Sequence, residues 1–151
     1  MVTLCLAALY IIPLWGLEKP QLARLHYDGG GDWYNNQDMI PNIVEVLNRE
    51  LHTDFSPEEA VVKPSESKLF DYPFVIMTGH GNIDFSEKEA ETLREWLLRG
   101  GCLYADDDFG MDEAFRREIR KVFPEKDLVE LPASHPVFSS YYDFGNKIPK
   151  I

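Results

Sequence analysis

The sequence predicts an α/β domain whose sheet is largely parallel and covered by helices on both faces. Three observations lead there. Phe74 to Met77 (FVIM) is an unbroken apolar run, the mark of a strand buried on both faces. Ser86 and Glu89 form an S-x-x-E capping box, which opens a helix shortly after that strand. Gly100-Gly101 then stops the helix, and a second strand begins at Cys102. Strand, helix, strand is the unit of a parallel sheet, because a crossover must carry the chain back to the edge it left.

The remaining elements follow in chain order. Leu22 to Tyr27 (LARLHY) alternates apolar and polar residues, as a short strand does. Asp28 to Asn36 (DGGGDWYNN) is a loop: its glycines permit positive φ and its Asp and Asn residues favour turns. Ile40, Ile43, Val44 and Leu47 recur on one helical face, so a helix starts near Asp38, with Pro41 tolerated in its first turn. His52 to Glu59 is a polar connection, Ala60 to Lys63 a short strand, and Pro64 to Lys68 a loop. Ala90, Leu93, Trp96 and Leu97 give the helix after Ser86 its apolar face, and Cys102 to Ala105 is the following strand. Phe115, Ile119, Val122 and Phe123 mark a third helix beginning near Asp112 and ended by Pro124. Leu128 to Leu131 is expected as a last strand, giving the order β-α-β-β-α-β-α-β.

Length and composition bound the function. The 151 residues fit one domain with a real core, and the net charge of −11 leaves no basic patch to release counterions from nucleic acid or from an anionic membrane surface. That charge reads first as solubility. The two cysteines, Cys5 and Cys102, show neither zinc spacing nor a disulfide framework. Val2 to Leu17 is apolar and uncharged, shorter than the roughly 20 residues of a membrane span, and interrupted by Pro13. It resembles the apolar core of a secretory signal, without a basic segment ahead of it or an A-x-A cleavage site. The reading is an apolar leader over residues 1–17, exporting the protein or attaching it to the membrane on the periplasmic side, and a single α/β domain over residues 18–151. The alternative is an N-terminal element that packs on the domain.

In open α/β sheets ligands bind outside the carboxyl ends of the strands. Four polar segments follow strands: Asp28 to Asn36, Thr78 to Asn82, Asp106 to Gly110, and Ser134-His135. Right-handed crossovers should bring them to one edge, so that His80, an Asp from 106 to 108, Asp32 and His135 share a cleft. His80, between Gly79 and Gly81, is the first candidate: a general base, a metal ligand, or a histidine that bonds its own loop. Asp106, Asp107 and Asp108 could hold a hard cation, although at most two of three successive residues point one way. The competing use is to face the dipole of the next helix. Asp107 joins His80 and His135 as the catalytic set. Asp32, Trp33, Gly79, Gly81 and Asp106 form the ligand-binding set, with Trp33 and Tyr34 able to stack on a sugar or to cover the end of the core. A divalent metal is the one cofactor these carboxylates suggest, and its identity is open. Gly29-Gly30-Gly31 lacks the spacing and the lysine of a phosphate loop. His26 and His52 read as structural. Neither cysteine suits nucleophilic catalysis, and no G-x-S-x-G elbow is present.

RLHYDGGGDWYNN, the stretch from Tyr72 to Gly110, FRREIRKVFP and LPASHPVF, taken in order, resemble the bacterial proteins grouped as domain of unknown function 4159. The resemblance runs from about Leu22 to the end of the chain. It implies a flavodoxin-like three-layer sandwich similar to class I glutamine amidotransferases and trehalose-utilisation (ThuA-like) proteins. It also implies export or membrane attachment, and a domain that usually continues past YYDFGNKIPKI, so that this chain is expected to be incomplete at its C-terminus. Amidotransferases carry a cysteine after the strand that precedes Asp106 here, so glutaminase chemistry is not expected. His135 falls near the catalytic histidine of that superfamily. Two functions compete. One is a non-catalytic binding or assembly module whose partners are envelope or membrane proteins, a small polar ligand or a carbohydrate. The other is a hydrolase using His80, Asp107 and His135, with or without a metal.

Overall fold

The structure is a computed structural model and describes residues 19–142; the leader over residues 1–17 and the tail from residue 143 lie outside the described residues. The chain forms β1 (Ala23–Leu25), α1 (Met39–Glu50), β2 (Ala60–Val62), a 3-10 turn (Ser67–Asp71), β3 (Phe74–His80), α2 (Glu87–Leu98), β4 (Cys102–Phe109), α3 (Asp112–Val122) and a second 3-10 turn (Pro136–Ser139). The sheet has four strands in the order β2-β1-β3-β4, every pair parallel. That order is compatible with a flavodoxin-like layout.

The two-residue period of β3 sorts the core into two layers. Ile76 faces α1 and packs with Leu22, Ile40 and Val44. Val75 and Met77 face the other way, onto Leu25, Ala90, Leu93, Trp96, Ala114 and Val122, so α2 and α3 share the opposite face. Ile40 and Leu93 are fully buried, and each such side chain is worth about 1.5–3 kcal/mol. The capping box of α2 is formed in both directions: the Ser86 hydroxyl accepts from Glu89 N–H at 3.3 Å, and the Glu89 carboxylate accepts from Ser86 N–H at 3.0 Å. The helix closes where expected, with Gly100 at φ +99°.

The strands differ from expectation in length. β1 is shorter than Leu22 to Tyr27. β3 and β4 are longer, because their ladder continues through Thr78↔Asp106 and Gly79↔Asp107. Thr78 to His80 and Asp106 to Asp108 are therefore strand residues rather than loops. Residues 67–71, partly expected as loop, form a 3-10 turn. Leu128 to Leu131 does not become a strand, and Leu128 and Val129 stay exposed. Leu128 lies against Arg116, Ile119 and Arg120 on the outer flank of α3. β-Propensity makes a strand only where a ladder partner exists, and among the described residues this segment has none. Among the described residues no helix is long and apolar enough to cross a membrane.

Candidate functional site

From β1 the chain moves outward to β2, and from β3 it moves the other way to β4. The reversal lies between β1 and β3, which is where open α/β sheets bind ligands. The loop after β1 and the end of β3 meet there along a seam of main-chain hydrogen bonds: Asp84 N–H to Asp28 O at 2.8 Å, Gly31 N–H to Asn82 O at 3.0 Å, and Asp32 N–H to His80 O at 3.4 Å. The Asn82 amide adds a bond to Gly29 O at 3.1 Å. A Cβ on Gly31 would come within 2.6 Å of Asn82 O and 2.7 Å of His80 O, so only glycine allows this approach. Gly29 and Gly31 zip one loop to the other, while Gly30 between them faces open space. The far side of that loop is anchored by Glu118, buried on α3, which accepts from Phe85 N–H at 2.8 Å and pairs with Lys121 at 2.7 Å and Arg117 at 2.8 Å.

The seam delivers Asp32 to His80. One carboxylate oxygen of Asp32 accepts the His80 backbone N–H at 2.5 Å, and the other lies 2.9 Å from His80 Nδ1. The Asp32 carboxyl is held below its ordinary range, chiefly by that backbone N–H; desolvation opposes the shift and the imidazole assists it. Gly79 is needed here because its φ is +140° and a Cβ would sit 2.4 Å from the Tyr27 hydroxyl and 3.0 Å from Asp32. That hydroxyl donates to Thr78 O at 3.1 Å, and burial, with the Asp32 charge adding, pushes it up to about 12. Gly81 has φ +81° but open space around it.

The three consecutive aspartates meet three fates. Asp106 pairs in register with Thr78; the Tyr104 hydroxyl is pushed up first by burial and then by the Asp106 charge. Asp107 accepts from Met111 N–H at 2.7 Å and Asp112 N–H at 3.1 Å, so it caps α3. At this point the register slips: Gly79 pairs with Asp107 and His80 with Phe109, which leaves Asp108 as the extra residue of a β-bulge. Bulges re-aim side chains. Asp108 here approaches His80 Nε2 at 3.2 Å and accepts from the Asn35 amide at 2.7 Å. The Asn35 amide nitrogen also lies 3.1 Å from His80 Nδ1. The imidazole thus has a carboxylate at each nitrogen. The Asp32 contact at Nδ1 has hydrogen-bond geometry, whereas the Asp108 contact at Nε2 is an ion-pair distance. Asp32, His80 and Asp108 keep 32%, 44% and 37% of their side-chain surface exposed, within reach of a solute.

The other candidates stand apart. Trp33 stacks on His26 with centroids 4.0 Å apart and packs against the core, so it covers the sheet end, while Tyr34 beside it is exposed. His26 is pulled below its ordinary value first by burial and then by Lys63. His135 does not join His80: its Nδ1 accepts from Val137 N–H at 3.2 Å and its own N–H bonds Pro132 O at 2.8 Å, holding the Pro136–Ser139 turn. Cys102 is exposed at the start of β4, the opposite end of the sheet. A cleft of about 440 Å³ lined by Leu22, Phe55, Tyr72 and Phe74 also opens at that opposite end, away from His80. Among the described residues no group of three or more His, Cys, Asp and Glu side chains is arranged to hold a metal ion. Asp32 and Asp108 approach different nitrogens of the ring rather than a common point.

Residues 21–151 match the model of a protein family described as Domain of unknown function (DUF4159). The chain belongs to that family. No curated protein matches it.

This DUF4159 domain brings together Asp32, His80 and Asp108, and it adds two residues the sequence reading did not single out. Asn35 bridges the cluster, and Arg24 lies under it. Asn35 was hidden because loop amides are common and nothing local marks one that faces a histidine. Arg24 was hidden because alternation in LARLHY reads as one wet face, whereas both faces of β1 are covered. The β4-to-α3 junction holds no strained non-glycine residue: among the described residues only Asn36 and His52 combine a side chain with positive φ.

Proposed function

We propose that this domain is a non-catalytic binding or assembly module of the cell envelope, on a scaffold related to class I glutamine amidotransferases and ThuA-like proteins. One observation carries the reading. At the place where an amidotransferase holds its cysteine, Asp107 spends both carboxylate oxygens on capping α3. Among the described residues the neighbouring His80 has carboxylates and an amide as its side-chain partners, with no hydroxyl or thiol among them. A general base needs a nucleophile within hydrogen-bond reach. What remains is a fixed, half-exposed set of donors and acceptors at the switch point of the sheet, suited to the hydroxyls or amines of a small polar ligand or carbohydrate. The apolar leader over residues 1–17 favours an envelope setting.

The test is a panel of neutral mono- and disaccharides, with magnesium, manganese and zinc, read by thermal shift and calorimetry on wild type and His80→Ala. Chromogenic ester hydrolysis is measured in parallel. Ligand stabilisation lost in His80→Ala, with no turnover by either protein, is the expected result. Ester turnover by wild type that disappears in His80→Ala would replace the binding reading with the hydrolase. Metal-dependent proton release lost in the variant would make the site a metal centre.

A further inference from the structure

Arg24 lies at the middle of β1, and its neighbours Ala23 and Leu25 both belong to the core facing α2 and α3. Its own side chain therefore points to the α1 side, where it is 1% exposed. A buried guanidinium must have its N–H groups satisfied. Glu59, the residue before β2, takes Nε at 3.1 Å and Nη2 at 2.9 Å. The other bonds go to three carbonyls of one loop: Asn35 O at 2.6 Å, Asn36 O at 3.1 Å and Trp33 O at 3.4 Å. These residues lie just after Asp32, and Asn36 is held at φ +53°.

We propose that Arg24 is a positioning residue of the His80 site, acting through Asn35. By drawing three carbonyls inward, the guanidinium fixes the backbone from which the Asn35 amide reaches Asp108 at 2.7 Å and His80 Nδ1 at 3.1 Å. Glu59 fixes the guanidinium in turn. The link runs from the β2 side of the sheet, beneath the β1–α1 loop, to the bulge in β4, and so couples both halves of the switch point. Lysine cannot replace it, because a single ammonium does not reproduce a planar fork with donors in three directions. This role rests on reading the His80 cluster as the binding site, but its geometry is measurable without any ligand.

The experiment compares wild type with Arg24→Lys and with the double variant Arg24→Met/Glu59→Leu, which removes both charges so that neither is left unpaired. Nuclear magnetic resonance reads exchange of the Asn35 side-chain amide and the ring nitrogen shifts of His80; circular dichroism and urea unfolding report the fold. The expected result is native secondary structure, at least tenfold faster exchange of the Asn35 amide, and displaced His80 ring signals in both variants. Folded variants whose Asn35 and His80 signals coincide with wild type would overturn the proposal. Should the double variant not fold, Glu59→Gln, which keeps the shape and weakens the anchor, must move the same two signals in the same direction, and their constancy there overturns it equally. A wild type that binds nothing in the saccharide and metal panel, while the Arg24 variants shift the signals, would sink the binding reading and leave the positioning role.

Discussion

Replacing Asp32 by asparagine removes one negative charge and almost no volume. In the native protein that carboxylate accepts the His80 N–H at 2.5 Å and faces the ring at 2.9 Å. Hydrogen bonds to charged groups are worth about 1.5–3 kcal/mol. Two features reduce the figure here: asparagine keeps one oxygen as acceptor for the main chain, and the Asp32 side chain is 32% exposed, so water screens the ring contact. The expected loss at neutral pH is about 1–2 kcal/mol. The Asp32 carboxyl is depressed in the folded protein, first by the His80 backbone N–H. A depressed carboxylate stabilises the fold fully above its unfolded value, near 4, and loses that contribution as pH falls through the folded value.

Wild type and Asp32→Asn should therefore differ by that amount at pH 7 and pH 5, begin to converge below about pH 4, where the unfolded chain takes up its proton, and meet once the depressed folded carboxyl is protonated as well. Urea unfolding followed by fluorescence at pH 7, 5, 3.5 and 2.5 gives the comparison. Because the effect is a difference between two proteins at each pH, the titration of other carboxylates largely cancels. A gap that is constant from pH 7 to pH 2.5 would show that asparagine disturbs packing rather than charge. The absence of any gap at pH 7 would show that the Asp32–His80 contact does not hold the two loops together.

Two further expectations separate space from strain and cap from site. Gly79→Ala should destabilise by about 3 kcal/mol, combining positive-φ strain with a clash at the Tyr27 hydroxyl, whereas Gly81→Ala, in open space, should cost about 1 kcal/mol; equal losses in urea unfolding would refute the argument from the seam. Asp107→Ala should cost about 1 kcal/mol of stability through the α3 cap while leaving the His80 ring signals unmoved, and a displaced ring signal would return Asp107 to the site.

What the sequence made legible was local or topological. The start of α2 could be read because its capping box closes within four residues, Ser86 to Glu89, and needs nothing from the rest of the chain. β3 could be read because a strand covered twice must be apolar throughout. The meeting of Asp32 and His80 followed from topology, since each lies where the chain leaves a strand beside the switch point. Arg24 needed a fact no local pattern holds, namely that the β1–α1 loop and Glu59 close over β1. Leu128 to Leu131 failed for the opposite reason: its residues favour a strand, but strand formation is a property of pairs, and among the described residues the segment pairs with no strand.

The aspartates at 106 to 108 show where residue-type reasoning stops. Three identical side chains in a row carry no information about which of them faces His80. In a regular strand Asp106 and Asp108 would share one face and Asp107 would take the other. The bulge breaks that alternation: Asp107 turns to the N–H groups of Met111 and Asp112, while Asp108, left without a ladder partner, turns to Asn35 and His80. The slip has an identifiable setting. It falls beside Gly79, whose φ of +140° a side chain would resist, and just before the Gly110 turn at φ +76°. The acidic partner of His80 is thus chosen by backbone register, and the glycine that permits the register is the same one that lets Tyr27 and Asp32 close in from the other side. Composition supplied the carboxylates; the bulge decides which one the site uses.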